Sequence, residues 1–245
     1  MNYINGENCY VAFIDILGFK SLVNKNDIMY IKSVFDDLAK TRKDIFDEHN
    51  ILDIDSEFAE MIKFVYVRFM SDSIIIAIPS RFRDSLSFIG DWCRRMQCNL
   101  LEKQVICRGA ISIGEFYGDE EIMFGKGLVK AYSLESNHAI YPRIVLSGSV
   151  IKDYLYKVKT TSIIYITDFI LQDIDDWFYI DYKMWIGDND NPMHDVSEFI
   201  ENTLFREDLS LNIRDKYLWL KKYWSLDDDE QMRNKSMVEK LFTNF

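Results

Sequence analysis

Two rhythms of apolar residues run along the chain. Residues 9–17, CYVAFIDIL, form a nearly unbroken apolar run and predict a buried strand. Asp15 interrupts that run and Gly18 closes it. Ile28, Ile31, Val34, Phe35, Leu38, Ile45 and Phe46 then recur near helical spacing, which predicts a long helix capped by Asn26 or Asp27. The acidic stretch ILDIDSEFAE (51–60) reads as an exposed connection. In MIKFVYVRFMSDSIIIAIPS (61–80), two β-branched and aromatic runs flank Ser71-Asp72-Ser73, the pattern of a hairpin. Ser80 is placed to cap a second helix, with Leu86, Ile89, Trp92, Cys93, Met96 and Leu100 as its buried face. VICRGAISIGEFYG (105–118) is a further strand, residues 125–136 are a loop and a helix, and residues 141–147 are a short strand.

The order β-α-β-β-α-β predicts an α+β fold of ferredoxin-like type, an antiparallel sheet with helices on one face. Residues 1–150 form this core, and residues 151–245 are a C-terminal α/β extension packed on it. Within the extension DWFYIDYKMWI (176–186) is strand-like, residues 199–224 carry helical spacing, and KKYWSLDDDEQMRNKS (221–236) reads as a solvated, charged segment.

Charge changes the picture of partners. The 29 basic and 40 acidic residues give a formal net charge of -11, which opposes general binding to nucleic acid or an anionic membrane. A small anion remains compatible if metal ions and a few basic side chains outweigh the global field. Cys9, Cys93, Cys98 and Cys107 form no CxxC pair and lie in apolar or helical patterns, as expected of reduced, buried thiols. His49, His138 and His194 are scattered, which speaks against a histidine metal cluster. The N-terminal MNYINGEN lacks the order of a signal peptide, and no apolar run reaches the roughly 18 residues of a membrane span, so a cytoplasmic location is expected.

The chemistry concentrates on two carboxylates. Asp15 lies near the end of the first strand and Asp72 in the hairpin turn. In a β-α-β-β unit the first strand neighbours the hairpin, so the two can converge. Two ionised carboxylates poor in water repel each other unless cations neutralise them. Hard oxygen ligands of this kind suit Mg²⁺ or Mn²⁺, with nucleotide phosphates completing the shell. The alternative is that both aspartates serve as turn caps.

Four segments carry a family resemblance. FIDILGF (13–19) resembles the F-x-D-I-x-G-F segment of class III nucleotidyl cyclases. FMSDSIIIAIP (69–79) is similar to their second metal-bearing strand pair. CRGAISIGEFYG (107–118) resembles their R-x-G-I-x-x-G stretch, and GKGLVKAYSLES (125–136) their G-x-x-V-N-x-A-x-R-L-E-S. The resemblance covers about residues 9 to 150 and is greatest to the bacterial pyrimidine (uridylate and cytidylate) cyclases of the Pycsar anti-phage systems.

That resemblance implies roles. Asp15, Asp72 and the backbone carbonyl of Ile16 would bind two divalent ions. Leu17, Gly18 and Phe19 would offer backbone amides to phosphate at the start of the long helix. Arg108 matches a phosphate-binding arginine, its alternative being a strand-end arginine paired with a carboxylate. By the alternation of the strand, Phe64, Tyr66, Arg68, Met70 and Asp72 share one face. Arg68 falls where the family selects the base, and Tyr66 would narrow the pocket against purines; the alternative is a core tyrosine and an ion-paired arginine. The chain departs from the family where an Asn and an Arg orient the ribose and stabilise the transition state: Val129 and Ser133 stand there. Arg143 or Lys126 are candidate replacements, and Lys157 or Lys159 for a late lysine. The resemblance implies a homodimer with sites at its interface, conversion of UTP to cyclic UMP, and a cyclic-nucleotide-activated effector. Cyclic CMP from CTP, or a non-catalytic nucleotide-binding dimer, are the alternatives.

Overall fold

Alternation along one long strand organises the molecule. The computed structural model describes residues 3–25, 27–51, 56–161, 169–183 and 192–243. In chain order the core runs β1 (Ile4–Ile16), α1 (Phe19–Lys25), α2 (Ile28–Ile51), α3 (Ser56–Ile62), β2 (Tyr66–Met70), β3 (Ser73–Pro79), α4 (Ser85–Glu102) and β4 (Cys107–Gly118). β1 lies between β3 and β4, antiparallel to both, and β2 flanks β3. The order β2-β3-β1-β4 is the predicted ferredoxin-like arrangement. Tyr10, Ala12, Ile14 and Ile16 point to one face, where Val34 and Leu38 of α2 and Leu86, Ile89, Trp92 and Met96 of α4 pack on them. Cys9, Val11 and Phe13 point to the other, and Asp15 continues that row.

β5 (Met123–Phe124) pairs with the end of β4, and α5 (Lys126–His138) then crosses the second face. Its buried stripe is Gly127, Ala131 and Glu135, one residue per turn. The small residues permit close approach: a Cβ on Gly114 of β4 would lie 2.9 Å from the Gly127 nitrogen. Ser112 donates to the Gly127 carbonyl at 2.6 Å and fixes the contact.

Residues past α5 extend the same sheet. β6 (Ile144–Leu146) runs parallel to β4; after α6 (Gly148–Thr161), β7 (Ile170–Gln172) and β8 (Phe178–Ile180) complete the edge. α7 (Pro192–Leu204), α8 (Leu211–Ser225) and α9 (Asp228–Thr243) follow, and a second core joins Val145, Leu171 and Tyr179 to Val196, Ile200, Leu220 and Tyr223. Among the described residues no helix is long and apolar enough to cross a membrane.

Several local expectations are revised. Asp27 caps α2, accepting from the Tyr30 amide at 2.8 Å, but the two-turn α1 separates that helix from Gly18. α3 occupies the second half of the acidic stretch read as a connection, and residues 52–55 lie outside the described residues. Ser80 does not cap α4: its hydroxyl donates to the Asn8 carbonyl, and five residues turn the chain before Ser85 begins the helix. The charged 221–236 segment mostly joins α8 and α9, and Asn234 of α9 bonds both the amide and the carbonyl of Gln172, like a neighbouring strand.

α4 ends with Gln104 at φ 58, where the Gln104 and Val105 amides donate to the carbonyls of Leu101 and Leu100. This is the glycine-favouring helix stop with a side chain in the left-handed region. Gln104→Gly is expected to raise stability by about 0.5–1 kcal/mol, read from denaturant melts of both proteins.

Candidate active site

The sheet brings Asp15 and Asp72 to the same edge. Asp15 stands in register with Ser73 on one side and Arg108 on the other. Met70 pairs with Ser73, so Ser71 and Asp72 alone make the turn, and Ser71 takes φ 55. A positive φ at the first central position suits a two-residue hairpin between right-twisted strands. The turn folds against β1, because the Ile16 amide donates to the Asp72 carbonyl at 2.8 Å.

Asp15 carries the electrostatic burden of this corner. Its carboxyl is pushed up to about 6, first by burial and then by the charge of Glu135; Arg108 opposes the rise and Asp72 adds to it. Arg108 Nε lies 3.5 Å from Asp15 Oδ2 and 2.8 Å from Glu135 Oε1. The short approach to Glu135 is an ion contact rather than a hydrogen bond, since neither buried atom meets a partner along its bonding direction. Arg108 Nη1 donates to the Ala139 carbonyl at 3.2 Å, and no bond among the described residues engages its Nη2. One guanidinium therefore bridges two carboxylates and keeps a donor to spare.

Glu135 was missed as a site residue. Its carboxylate is only 3% exposed, and Ser136 donates to its other oxygen at 2.9 Å. The signal was present: an acid at the third step of the four-residue stripe begun by Gly127 and Ala131.

Among the described residues, two of the three amides in the loop after β1 are open. Gly18 takes φ 74, and its carbonyl receives the amides of Ser21 and Leu22 to open α1. The Leu17 amide is committed to the Ile106 carbonyl at 2.9 Å, so it has no donor for a ligand. The amides of Gly18 and Phe19 have no partner among the described residues.

On β2, Tyr66, Arg68 and Met70 do share the face of Asp15, but Phe64 precedes the strand and packs on Phe82 in the opposite core. Tyr66 is buried against Phe116, with ring centroids 5.2 Å apart, and its hydroxyl donates to the Asp119 carbonyl. Among the described residues Arg68 forms no carboxylate ion pair; it donates to the carbonyls of Asp119 and Glu120 in the turn after β4. Of the candidate replacement cations, Arg143 is fully buried in an ion pair with Asp173 and Asp175. Lys126 pairs with Glu115 at 2.8 Å. Lys157 bonds the Tyr10 hydroxyl at 3.1 Å, on the face of the sheet opposite Asp15. The Lys159 side chain lies outside the described residues.

The donor set fits a divalent cation in chemistry: two carboxylates and the Ile16 carbonyl are hard oxygens, and the partly buried Asp15 carries an uncompensated cost when ionised. Among the described residues no three His, Cys, Asp or Glu side chains gather as a complete ligand set, so phosphate oxygens or water must supply the remainder.

No family model matches the chain, and no curated protein matches it. Solved structures resemble it distantly. The monomeric guanylyl cyclase domain of the RhoGC fusion protein from the aquatic fungus Blastocladiella emersonii is 16% identical, with 73% of this chain and 96% of that chain covered, at TM-score 0.44. The catalytic core of a rhodopsin-guanylyl cyclase with converted specificity, in complex with ATPalphaS, is 13% identical over 73% and 98% of the two chains at TM-score 0.47. A class III adenylyl cyclase-like ATP-binding protein from Pseudomonas aeruginosa is 9% identical over 79% and 40% at TM-score 0.41. At such identities and scores the likeness says nothing of this chain's activity.

Proposed function

We propose that the protein is a nucleotidyl cyclase, as its four cyclase-like segments suggest, and that it converts UTP to 3′,5′-cyclic UMP and pyrophosphate. The observation that carries this reading is the meeting of Asp15 and Asp72 at one corner, joined through the Ile16 amide and coupled in charge. The ribose 3′-oxygen attacks the α-phosphorus, the bond to the bridging β-phosphate oxygen breaks, pyrophosphate leaves with the electron pair, and the hydroxyl proton passes to water. Asp15, Asp72 and the Ile16 carbonyl would hold the ions, and Mn²⁺ or Mg²⁺ bound there would supply acidity at the 3′-hydroxyl and offset charge on the departing oxygens. Arg108, fixed by Glu135 and Ala139, presents Nη2 to a phosphate oxygen. The Gly18 and Phe19 amides serve the same anion. Arg68 is the base-side donor in this reading, and Tyr66 shapes the wall behind it.

The same reading takes the protein as a homodimer. Met70, Val129 and Tyr132 stand exposed on or over the Asp15 face, and Tyr132 packs edge-on against Phe13. A partner covering them could supply the transition-state donors that Val129 and Ser133 do not. In a cell, the cyclic nucleotide would activate an effector in anti-phage defence.

The test is incubation of the purified protein with each of the four NTPs and Mn²⁺, products being resolved by chromatography. Pyrophosphate with cyclic UMP is expected. Cyclic CMP would move the assignment to CTP. Metal-dependent binding without turnover would support the non-catalytic dimer, which the Val129 and Ser133 departures and the sequestered Arg143 favour.

A further inference from the structure

A cavity of about 560 Å³ opens beside the phosphate loop, and Leu17 and Gly18 line it. One wall is core: Leu17, Gly18 and Leu22, with Val105 and Ile106 below. The other comes from the C-terminal extension, where the turn between α7 and α8 brings Arg206 and Asp208, and α8 brings Ile213, Lys216 and Tyr217. Its volume is that of a small-ligand site.

The charges in it run against the molecule. Lys25, Arg206 and Lys216 line the cavity with Asp208 as the one acid among its lining residues, in a chain of net charge -11. That acid is already used: Arg206 Nη2 lies 2.8 Å from its Oδ2, and Lys25 acts on it from nearby. Lys216 is held by the carbonyl and side-chain oxygen of Asn212, both uncharged. Burial first, and then the charge of Arg108, lower its pKa, while the adjacent Asp215 carboxylate acts in the opposite sense. Lys25 and Arg206 are exposed, so the cost of charge falls on the half-buried Lys216, and an anion in the cleft would offset it. Gly18 leaves the entrance open, since a Cβ built on it would meet nothing within 4 Å.

We propose that this cleft receives the terminal phosphates of the nucleotide, and holds pyrophosphate after cleavage, with Lys216 of the C-terminal extension as their principal cation. The inference rests on the cyclase reading for the identity of the ligand. It assigns a task to residues 203–217, which lie outside the segments that resemble cyclases. The phosphate chain passes over Gly18 from the Asp15–Asp72 corner into the cleft, where Lys216 and Lys25 meet the charge that Arg108 does not.

The experiment is calorimetric titration of the full chain with inorganic tripolyphosphate at two salt concentrations, for the wild type, Lys216→Glu and Lys25→Glu, with circular dichroism to confirm folding. Binding that weakens with salt, and falls about tenfold or more in Lys216→Glu with a smaller loss in Lys25→Glu, is expected. Equal affinity in folded Lys216→Glu, or no binding by the wild type, overturns the proposal. Should Lys216→Glu fail to fold, Lys216→Met is the replacement and is held to the same threshold. Cyclase assays on the same preparations separate the two claims. Lys216-dependent binding without any cyclic product sinks the cyclase reading and leaves the cleft standing. Turnover with unchanged KM and unchanged tripolyphosphate affinity in Lys216→Glu does the reverse.

Discussion

Asp15→Asn is expected to abolish cyclisation and, in the same molecule, to stabilise the metal-free fold. The loss of turnover should be about a thousandfold or more, because the substitution removes a charged oxygen from the place where ions and developing negative charge must be held. The stability gain follows from the sign of the Asp15 shift. Its carboxyl titrates at about 6 in the fold against 3.8 for the free group, raised by burial, by Glu135 and by Asp72 against the opposing Arg108. Between those values the folded protein binds more protons than the unfolded chain. Stability therefore falls as pH rises through that window, and the whole cost remains above it. An amide has no such titration. With solvent screening discounted, the gain at pH 8 is about 1–2 kcal/mol and disappears near pH 4. Thermal melts of both proteins in chelator at the two pH values check it. An Asp15→Asn protein less stable at pH 8 would mean that the carboxylate serves mainly as the partner of Arg108, and the metal reading would lose its main support.

Features with a short period were legible in the sequence. β1 and β3 announce themselves by apolar runs, α4 by its stripe, and the Ser71-Asp72 turn by the polar break between two strand patterns. The topological order then brought two distant aspartates to one corner, because β1 must neighbour the hairpin in such a unit. What escaped depended on which surfaces meet, which spacing alone does not identify. A buried glutamate reads as solvated unless its burying surface is known, and the surface over Glu135 is the underside of α5 with Arg108 beside it. Arg143 looked like a free donor because its acids, Asp173 and Asp175, lie a helix and two strands further on. Lys216 stood in a stretch read only as helical packing, and its cleft exists because a turn of the extension meets the loop after β1.

Arg143→Ala should cost about 3–5 kcal/mol, a large share of the 5–15 kcal/mol by which domains are stable. Arg143 is 0% exposed. Its guanidinium donates to Asp173 and to both oxygens of Asp175, and lies 5.3 Å from the Tyr141 ring and 5.9 Å from that of Trp219. Trp219 in turn donates its indole N–H to Asp173 at 2.6 Å. Truncation leaves the Asp173 carboxylate facing aromatic rings with only two neutral donors, the Trp219 indole and the Ile174 amide, which is the costly way to break a buried pair. Replacing both partners is cheaper: Arg143→Met with Asp173→Leu should recover part of the loss, while Arg143→Met alone should resemble the alanine variant. The consequence reaches function through α8, because Trp219 and Lys216 are one turn apart on that helix. A loosened Trp219 displaces Lys216, so Arg143→Ala should also weaken tripolyphosphate binding below its own melting transition. Urea titration of the three variants measures the first effect and calorimetry the second. A loss under about 1 kcal/mol would show that solvent reaches this cluster freely, and that the hydrophobic contacts of Leu220 and Tyr223 alone seat the extension on the sheet.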